Sequence, residues 1–315
     1  MIELMNNIII TSLVGIISLG VAFGNSISAI AAIRATYIQP RANKEILKAS
    51  LLGIVLSETS AIIGFVMAII LLGSQQSSIY SEYVIYSKLG IFFALCIPGF
   101  TIGLVSSLPV KYACMSIARQ PFFSSKILNL MFLTLTFIQS PIIFGFIISL
   151  IINFKASSIT TVADSIRMIS AGLSLGIGSI GPSIGLALFA KSACHAIGIN
   201  RNSYNKIFTF CFVSEALLET PIVFALITSL LLVSSTAISP LACVGMLASA
   251  LCVGISNIFP GISSGRIAAA ACQEIALNPN NYSLVSRTSL IAQGLIDSLA
   301  VYGWLISLML IFLLK

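Results

Sequence analysis

Four positions in this sequence put a polar or ionisable group near the middle of an apolar run. Phe212–Val233, FVSEALLETPIVFALITSLLLV, is long enough to cross a bilayer and carries Glu219, followed by Thr220 and Pro221. Leu56–Phe65 (LSETSAIIGF) carries Glu58, Phe137–Phe146 (FIQSPIIFGF) carries Gln139, and Leu295–Trp304 (LIDSLAVYGW) carries Asp297. An ionisable group at such a depth costs several kcal/mol unless it is neutral or paired, so it marks function by default. The chemistry open to a lone carboxyl there is to take up a cation, in the simplest case a proton, and to give it up elsewhere. The four positions are separated by 81, 80 and 78 residues. That spacing is an internal repeat, and it sets the architecture.

The composition agrees with a membrane setting. Of 315 residues, 58% are hydrophobic and only 8% charged, against roughly 25% charged in soluble domains, which reads as an integral membrane protein. The net charge of +7 is scattered, not clustered, so no nucleic-acid partner is expected. Cys96, Cys114, Cys194, Cys211, Cys243, Cys252 and Cys272 all lie in apolar stretches with no Cys-x-x-Cys pair or Cys/His cluster. They read as small packing residues, not as metal ligands or a disulfide framework. There is no Gly-rich nucleotide loop after a strand and no nucleophile–base pair. No catalysis, catalytic residue, metal or organic cofactor is therefore expected of this chain alone. The start, MIELMNN, lacks a basic n-region, so no cleavable signal is expected.

Eight apolar spans position these groups: about 8–33, 46–73, 86–117, 124–153, 166–197, 205–233, 239–275 and 286–313. They pair into four hairpins, at 1–75, 76–155, 156–235 and 236–315, giving an all-α membrane protein of four tandem two-helix units. Each hairpin closes on a short polar loop (YIQPRANKE, ARQPFFSSK, GINRNSYNK, LNPNNYS), with linkers at 74–85 and 154–165 and a tight turn at 234–238. Arg34, Arg41, Lys44, Lys48, Arg119, Lys126, Arg201, Lys206 and Arg287 lie at the loop side. The other side has little beyond Lys155, Arg167 and Lys315. Basic residues by short loops stay cytoplasmic, so the loops should face the cytoplasm and both termini the opposite side, as in a bacterial-type inner membrane. Gln39, Gln120, Asn200 and Asn278 hold one loop position, each 19 residues before Glu58, Gln139, Glu219 or Asp297. The four polar positions thus fall about 13 residues into the second helix, roughly 20 Å along it and near the bilayer midplane.

The first helix of each hairpin is rich in small residues, most of all AGLSLGIGSIGPSIG with Gly172, Gly176, Gly178, Gly181 and Gly185. Small residues three or four apart let neighbouring helices approach closely. A glycine-rich helix, a polar loop reading Ala118-Arg119-Gln120-Pro121, and a second helix with a central acid 19 residues after the loop Gln resemble the c subunit (proteolipid) of rotary F-type/V-type ATP synthases. The resemblance covers nearly the whole chain, as four fused copies of a two-helix unit. The Arg-Gln-Pro loop leans toward the F type.

The resemblance implies a homo-oligomeric c-ring among membrane lipids, whose central acids meet an essential arginine on a stator a-type subunit and whose loops touch central-stalk subunits. A carboxyl facing lipid is favoured in its neutral form, and an arginine with water favours the ionised one. Rotation then couples ion flow to ATP synthesis or hydrolysis elsewhere in the complex. On this reading Glu58, Glu219 and Asp297 carry the ion, and Gln139 is a non-titrating equivalent. Gln39, Pro40, Arg41, Arg119, Gln120, Pro121, Asn200 and Arg201 touch the stalk; the third and fourth loops depart from Arg-Gln-Pro. Pro141 and Pro221 are expected to kink their helices two residues past the site.

Several residues keep two readings. Glu215 lies one turn before Glu219, as a second ligand or as a group reaching the loop side, and Gln293 has the same offset from Asp297. Arg266 either pairs with Asp297, snorkels, or faces the ring lumen. His195, near a loop, reads as a surface residue. Sodium-binding members of the family add a Gln in the first helix, where this chain has Asn25, Ser106, Leu186 and Ser264. Thr59, Thr220 and Ser298 do follow the acids, and Tyr302 follows Asp297 by five. The missing ligands favour protons over sodium. The competing classes are a repeat-built secondary transporter or channel, which would need polar groups around an interior pathway, and a non-transporting membrane scaffold.

Overall fold

A computed structural model describes residues 2–74, 82–235 and 240–313. Most of the linker expected at 74–85, part of the turn at 234–238, and Lys315 lie outside them. The described chain contains helices α1 (Ile2–Ile38), α2 (Asn43–Gly73), α3 (Glu82–Val105), α4 (Ser107–Arg119), α5 (Ser124–Ile138), α6 (Ser140–Phe154), α7 (Val162–Gly178), α8 (Ile180–Ile199), α9 (Tyr204–Ser234), α10 (Pro240–Leu277) and α11 (Tyr282–Leu313). α3–α4, α5–α6 and α7–α8 are each one rod broken at a single residue, so eight rods are long and apolar enough to cross a membrane. Each is 34–38 residues, about 51–57 Å at 1.5 Å per residue. The helices overrun the apolar runs read from sequence, because a helix continues past the roughly 30 Å hydrocarbon layer.

The polar loops are single 3-10 turns, Pro40–Ala42, Pro121–Phe123, Arg201–Ser203 and Pro279–Asn281. Proline starts three of them, where its fixed φ fits and its missing N–H costs nothing. In the third and fourth loops Asn200 and Asn278 accept from the N–H two residues on, an Asx turn.

The hairpins stand side by side in chain order as two rows. The first helices form an inner row, α1 against α3 and α4, those against α7 and α8, and those against α10. The second helices α2, α5–α6, α9 and α11 form an outer row, and the first three each lie over the groove between their own inner helix and the next. The inner row is glycine-tight. A Cβ on Gly172 would fall on the backbone of Gly90, and one on Gly265 on the backbone of Gly185. Only glycine permits that approach, which brings backbones together as in other small-residue membrane interfaces. The first and last inner helices do not pack against each other, so the rows end in two open edges.

The breaks follow from proline chemistry. Ser106, Gln139 and Ser179 interrupt their rods two or three residues before Pro109, Pro141 and Pro182, whose missing N–H leaves a carbonyl one turn back unpaired. Pro221, like Pro98 and Pro260, sits inside a continuous helix. There Thr220 Oγ1 donates to Leu217 O at 2.8 Å, the carbonyl that Pro221 strands. The rod therefore shows no break at Pro221 of the kind seen before Pro141. Before Pro141, the buried Ser140 hydroxyl has no hydrogen-bond partner.

Candidate functional site

Glu58, Gln139, Glu219 and Asp297 all lie on the outer row, and Glu58, Gln139 and Asp297 each stand beside a residue of their own inner helix. The environments differ. Glu58 is exposed and accepts from Asn25 Nδ2 at 3.3 Å. The Ser57 hydroxyl donates to Asn25 Oδ1, which fixes the amide with its NH2 toward the carboxylate. Gln139 sits at the break of its rod, 7% exposed, with Nε2 3.5 Å from Ser106 Oγ and Oε1 without a partner. Glu219 is half-buried beside Ser140 of the preceding hairpin's outer helix. Asp297 is 7% exposed and faces Ser264 of its own inner helix; neither the carboxylate oxygens nor that hydroxyl has a hydrogen bond.

Thr59, Thr220 and Ser298 all donate back to the carbonyl three residues before, at 2.7–2.8 Å. Each hydroxyl oxygen keeps lone pairs, so it can still accept from a neutral carboxyl or contact a cation. Tyr302 is 61% exposed, on the outer surface.

Glu215 is fully buried, and both its carboxylate oxygens lack partners. It lies beside Glu219 and toward the buried Cys194 and Cys211. Gln293, its counterpart in the fourth hairpin, donates to Ser214 Oγ at 3.3 Å and Ser289 Oγ at 3.0 Å. The pair Gln293–Ser214 joins α11 to α9, and Ser140 of α6 stands beside Glu219 of α9. Sites of the third and fourth hairpins are therefore finished by the outer helix of the hairpin before.

Arg266 does not pair with Asp297. It lines a cleft with Tyr112, Lys191 and His195 on the face of the inner row turned away from the outer row. The cause is angular: Arg266 is two residues past Ser264, about 200° around the helix. His195 is a partly exposed group held by its neighbours. Its Nε2 lies 3.1 Å from Arg119 Nη1, and its ring meets Tyr112 edge to face at 5.5 Å.

At the loops, Gln120 Nε2 donates to Gly198 O at 3.0 Å and Asn200 Nδ2 to Ala276 O at 2.9 Å. These residues tie each hairpin to the next. Gln39, Pro40, Arg41, Pro121 and Arg201 lie in the same row of loops, and Arg119, Arg41 and Arg201 are exposed there. Sequence reasoning alone misses Asn257. It is buried on α10 and donates to Pro221 O at 2.7 Å, two residues past Glu219. A lone Asn in an apolar first helix is the signal that could find it. Lys88, Lys111 and Lys191, basic residues inside first helices, escape in the same way.

Three stretches of the chain match the family model for the C subunit of ATP synthase: residues 8–71, 169–232 and 247–310. Each matched stretch contains one of the carboxylates Glu58, Glu219 and Asp297. The hairpin with Gln139 lies outside the matches. The chain is 39% identical over 71 residues to the ATP synthase c subunit of Dehalococcoides mccartyi, covering 93% of that protein and 22% of this chain. It is 37% identical over 71 residues to that of Gloeobacter violaceus, covering 87% of that protein and 22% of this chain. It is 29% identical over 69 residues to that of Chloroflexus aurantiacus, covering 91% of that protein and 22% of this chain. One relative is thus about as long as one hairpin here. With three repeated matches over about three fifths of its length, the chain belongs to the ATP synthase C-subunit family.

Proposed function

We propose that this chain is a rotor proteolipid that carries ions, namely protons, across the membrane on Glu58, Glu219 and Asp297. The observation that carries the reading is the common register: each family match contains one carboxyl, on the outer row, 19 residues after the loop Gln or Asn. In this role each carboxyl travels past lipid in its neutral form. It meets an arginine on a stator subunit, and water there, where the ionised form is favoured and the proton leaves. Leu186 stands where a first-helix ligand to sodium would stand, so the Glu219 site offers a cation few oxygens. The loops are proposed to bear on the central stalk, and the four hairpins to act as four units of one ring.

The ring is proposed to close by repeating the contacts made inside the chain. Ser116 donates to Cys194 O, and Arg119 meets His195. The same register sets Glu274 and Leu277 of one copy against Ile33 and Arg34 of the next, an acid beside a base. It also sets Ser298 of a second copy against Glu58, as Ser140 stands by Glu219. Glu58 is exposed in the single chain for want of that neighbour. The test is oxidative cross-linking of the double variant Arg34→Cys, Leu277→Cys in native membranes. A ladder of chain multiples is expected, and an intramolecular or absent cross-link refutes the closure. Proton uptake by vesicles holding the reconstituted complex tests the transport, and should vanish with Glu219→Gln.

A further inference from the structure

The inner row carries a second polar feature that the ion sites do not use. On its face away from the outer row is a cleft of about 470 Å³, lined by Tyr112, Leu188, Lys191, His195, Arg266 and Gln273. Lys191 Nζ lies 5.1 Å from the centre of the Tyr112 ring, and Lys111 Nζ 5.8 Å. An arginine can only donate, so the contact from Arg119 makes His195 Nε2 the acceptor. The ring is then neutral with its remaining N–H at Nδ1. Three hairpins thus bring three cations and a neutral imidazole to one place. Among the described residues the one ion pair is Arg167–Asp164, in α7 near its start, and no carboxylate pairs with Lys111, Lys191 or Arg266. Glu274, exposed on α10 beyond Gln273, is not bonded to them.

Depth decides what such a cluster can bind. Lys191 is eight residues from the end of α8 and Arg266 eleven from the end of α10, about 12 and 17 Å below the helix ends. A rod of about 57 Å centred on a 30 Å hydrocarbon layer overhangs it by about 13 Å at each end. Lys111 and Lys191 therefore stand where hydrocarbon gives way to headgroups, and Arg266 about one turn further in. One turn further in, Leu188 is followed by Ile184, and Arg266 by Ile262, so the face becomes apolar. Unpaired cations at the headgroup boundary above an apolar wall match an anionic headgroup with acyl chains, and not a fully soluble anion.

The geometry points to a binding site for the phosphate of an anionic phospholipid, held by Lys111, Lys191 and Arg266 with Tyr112 and His195, its acyl chains lying along Leu188, Ile184 and Ile262. Basic pockets between membrane helices bind such headgroups, and each cation near the surface strengthens the attraction. With three cations, preference over a zwitterionic lipid should be on the order of a hundredfold.

The full-length protein, purified in mild detergent and exchanged into nanodiscs of phosphatidylcholine with a tenth phosphatidylglycerol, is read by native mass spectrometry for retained lipid. Retention of phosphatidylglycerol far above its mole fraction is expected. In Lys111→Gln, Lys191→Gln, Arg266→Gln it should drop to the mole fraction, and Arg266→Lys alone should keep it. Equal retention of both lipids by the unaltered protein overturns the site, and so does a triple variant that retains as much as the unaltered protein. Millimolar inorganic phosphate that displaces the lipid would show a free anion to be the ligand and also overturn it. The unaltered protein's choice between the two lipids decides the matter even where the triple variant does not fold.

Discussion

Gly172→Ala isolates the packing that sets the spacing of the inner row. A Cβ at this position would lie 2.6 Å from the Gly90 carbonyl carbon and 2.7 Å from its Cα, where ordinary contact begins at 3.4 Å. The obstructing atoms are backbone, the Gly90 carbonyl oxygen nearest of all, so no side chain can swing aside and α3 and α7 must part by more than about 0.8 Å. Overpacking of this kind costs about 1–3 kcal/mol, and the gap it opens along the seam forfeits a quarter to a half of each dispersion contact. Alanine regains about 1 kcal/mol of helix propensity. Gly294→Ala supplies the control, because nothing lies within 4 Å of its Cβ and it gains the same propensity. The two variants should differ by about 1–3 kcal/mol, roughly 5- to 150-fold in the unfolding equilibrium. The assay is heating in mild detergent while the buried thiols, such as Cys114 and Cys194, become reactive to a maleimide dye. Gly294→Ala should raise the midpoint and Gly172→Ala lower it. If Gly172→Ala raises the midpoint as much as the control, the inner row is not backbone-tight.

Dicyclohexylcarbodiimide should modify Glu58 or Glu219 and spare Glu45 and Glu82, because it attacks neutral carboxyls in apolar surroundings; peptide mapping reads the site. Sodium ions added at fixed pH should give no protection, and protection would overturn the proton assignment. Gln139→Glu should raise the ion-to-ATP ratio of the reconstituted complex, or leave rotation intact, while Asp297→Asn stalls coupled transport. An Asp297→Asn complex that pumps normally would leave two working sites per chain. Thr220→Val removes the hydroxyl that satisfies Leu217 O beside Pro221, and should lower stability by about 0.6–2 kcal/mol in the same thiol assay. An unchanged midpoint would show that the stranded carbonyl finds another donor.

The hairpins, their order and the level of the four polar groups are legible because they rest on one-dimensional signals: apolar length, turn residues and a constant 19-residue spacing. What a sequence does not carry is direction around a helix axis between packed helices. Arg266 and Asp297 share a depth, and depth alone suggests a pair. Only the helix's phase shows that Ser264 faces the carboxylate while Arg266 turns to the opposite face with Lys191. Proline read the same way gives half an answer. Pro141 and Pro221 hold one register, yet the rod breaks at Gln139 and runs on through Glu219, where the hydroxyl of Thr220 reaches back to the stranded carbonyl and that of Ser140 does not. Asn257 escapes notice because its value lies in the Pro221 carbonyl of another hairpin, 36 residues away.

Fusion changes what the sites can be. A ring of separate identical hairpins must give every carboxyl the same neighbours, whereas one chain of four can give each its own. Glu58 has the amide of Asn25, Glu219 has Ser140 and the buried Glu215, and Asp297 has Ser264 with Gln293 one turn away. Glu215 and Gln293 make the contrast sharpest, since they hold one offset from their acids. Gln293 spends its amide on Ser214 and Ser289, so it ties two outer helices together. Glu215 has no hydrogen-bond partner, and two ionised carboxylates one turn apart in an apolar wall repel strongly. In the proposed role, then, Glu215 and Glu219 are not both charged at once, so the pair keeps one proton when it gives one up beside the stator. The third hairpin would pass its ion from a coupled pair of carboxyls, the fourth from a single one, and the second, with Gln139, would pass none. A rotor built this way meets its stator at unequal intervals in a fixed order, which four separate copies of one hairpin cannot encode.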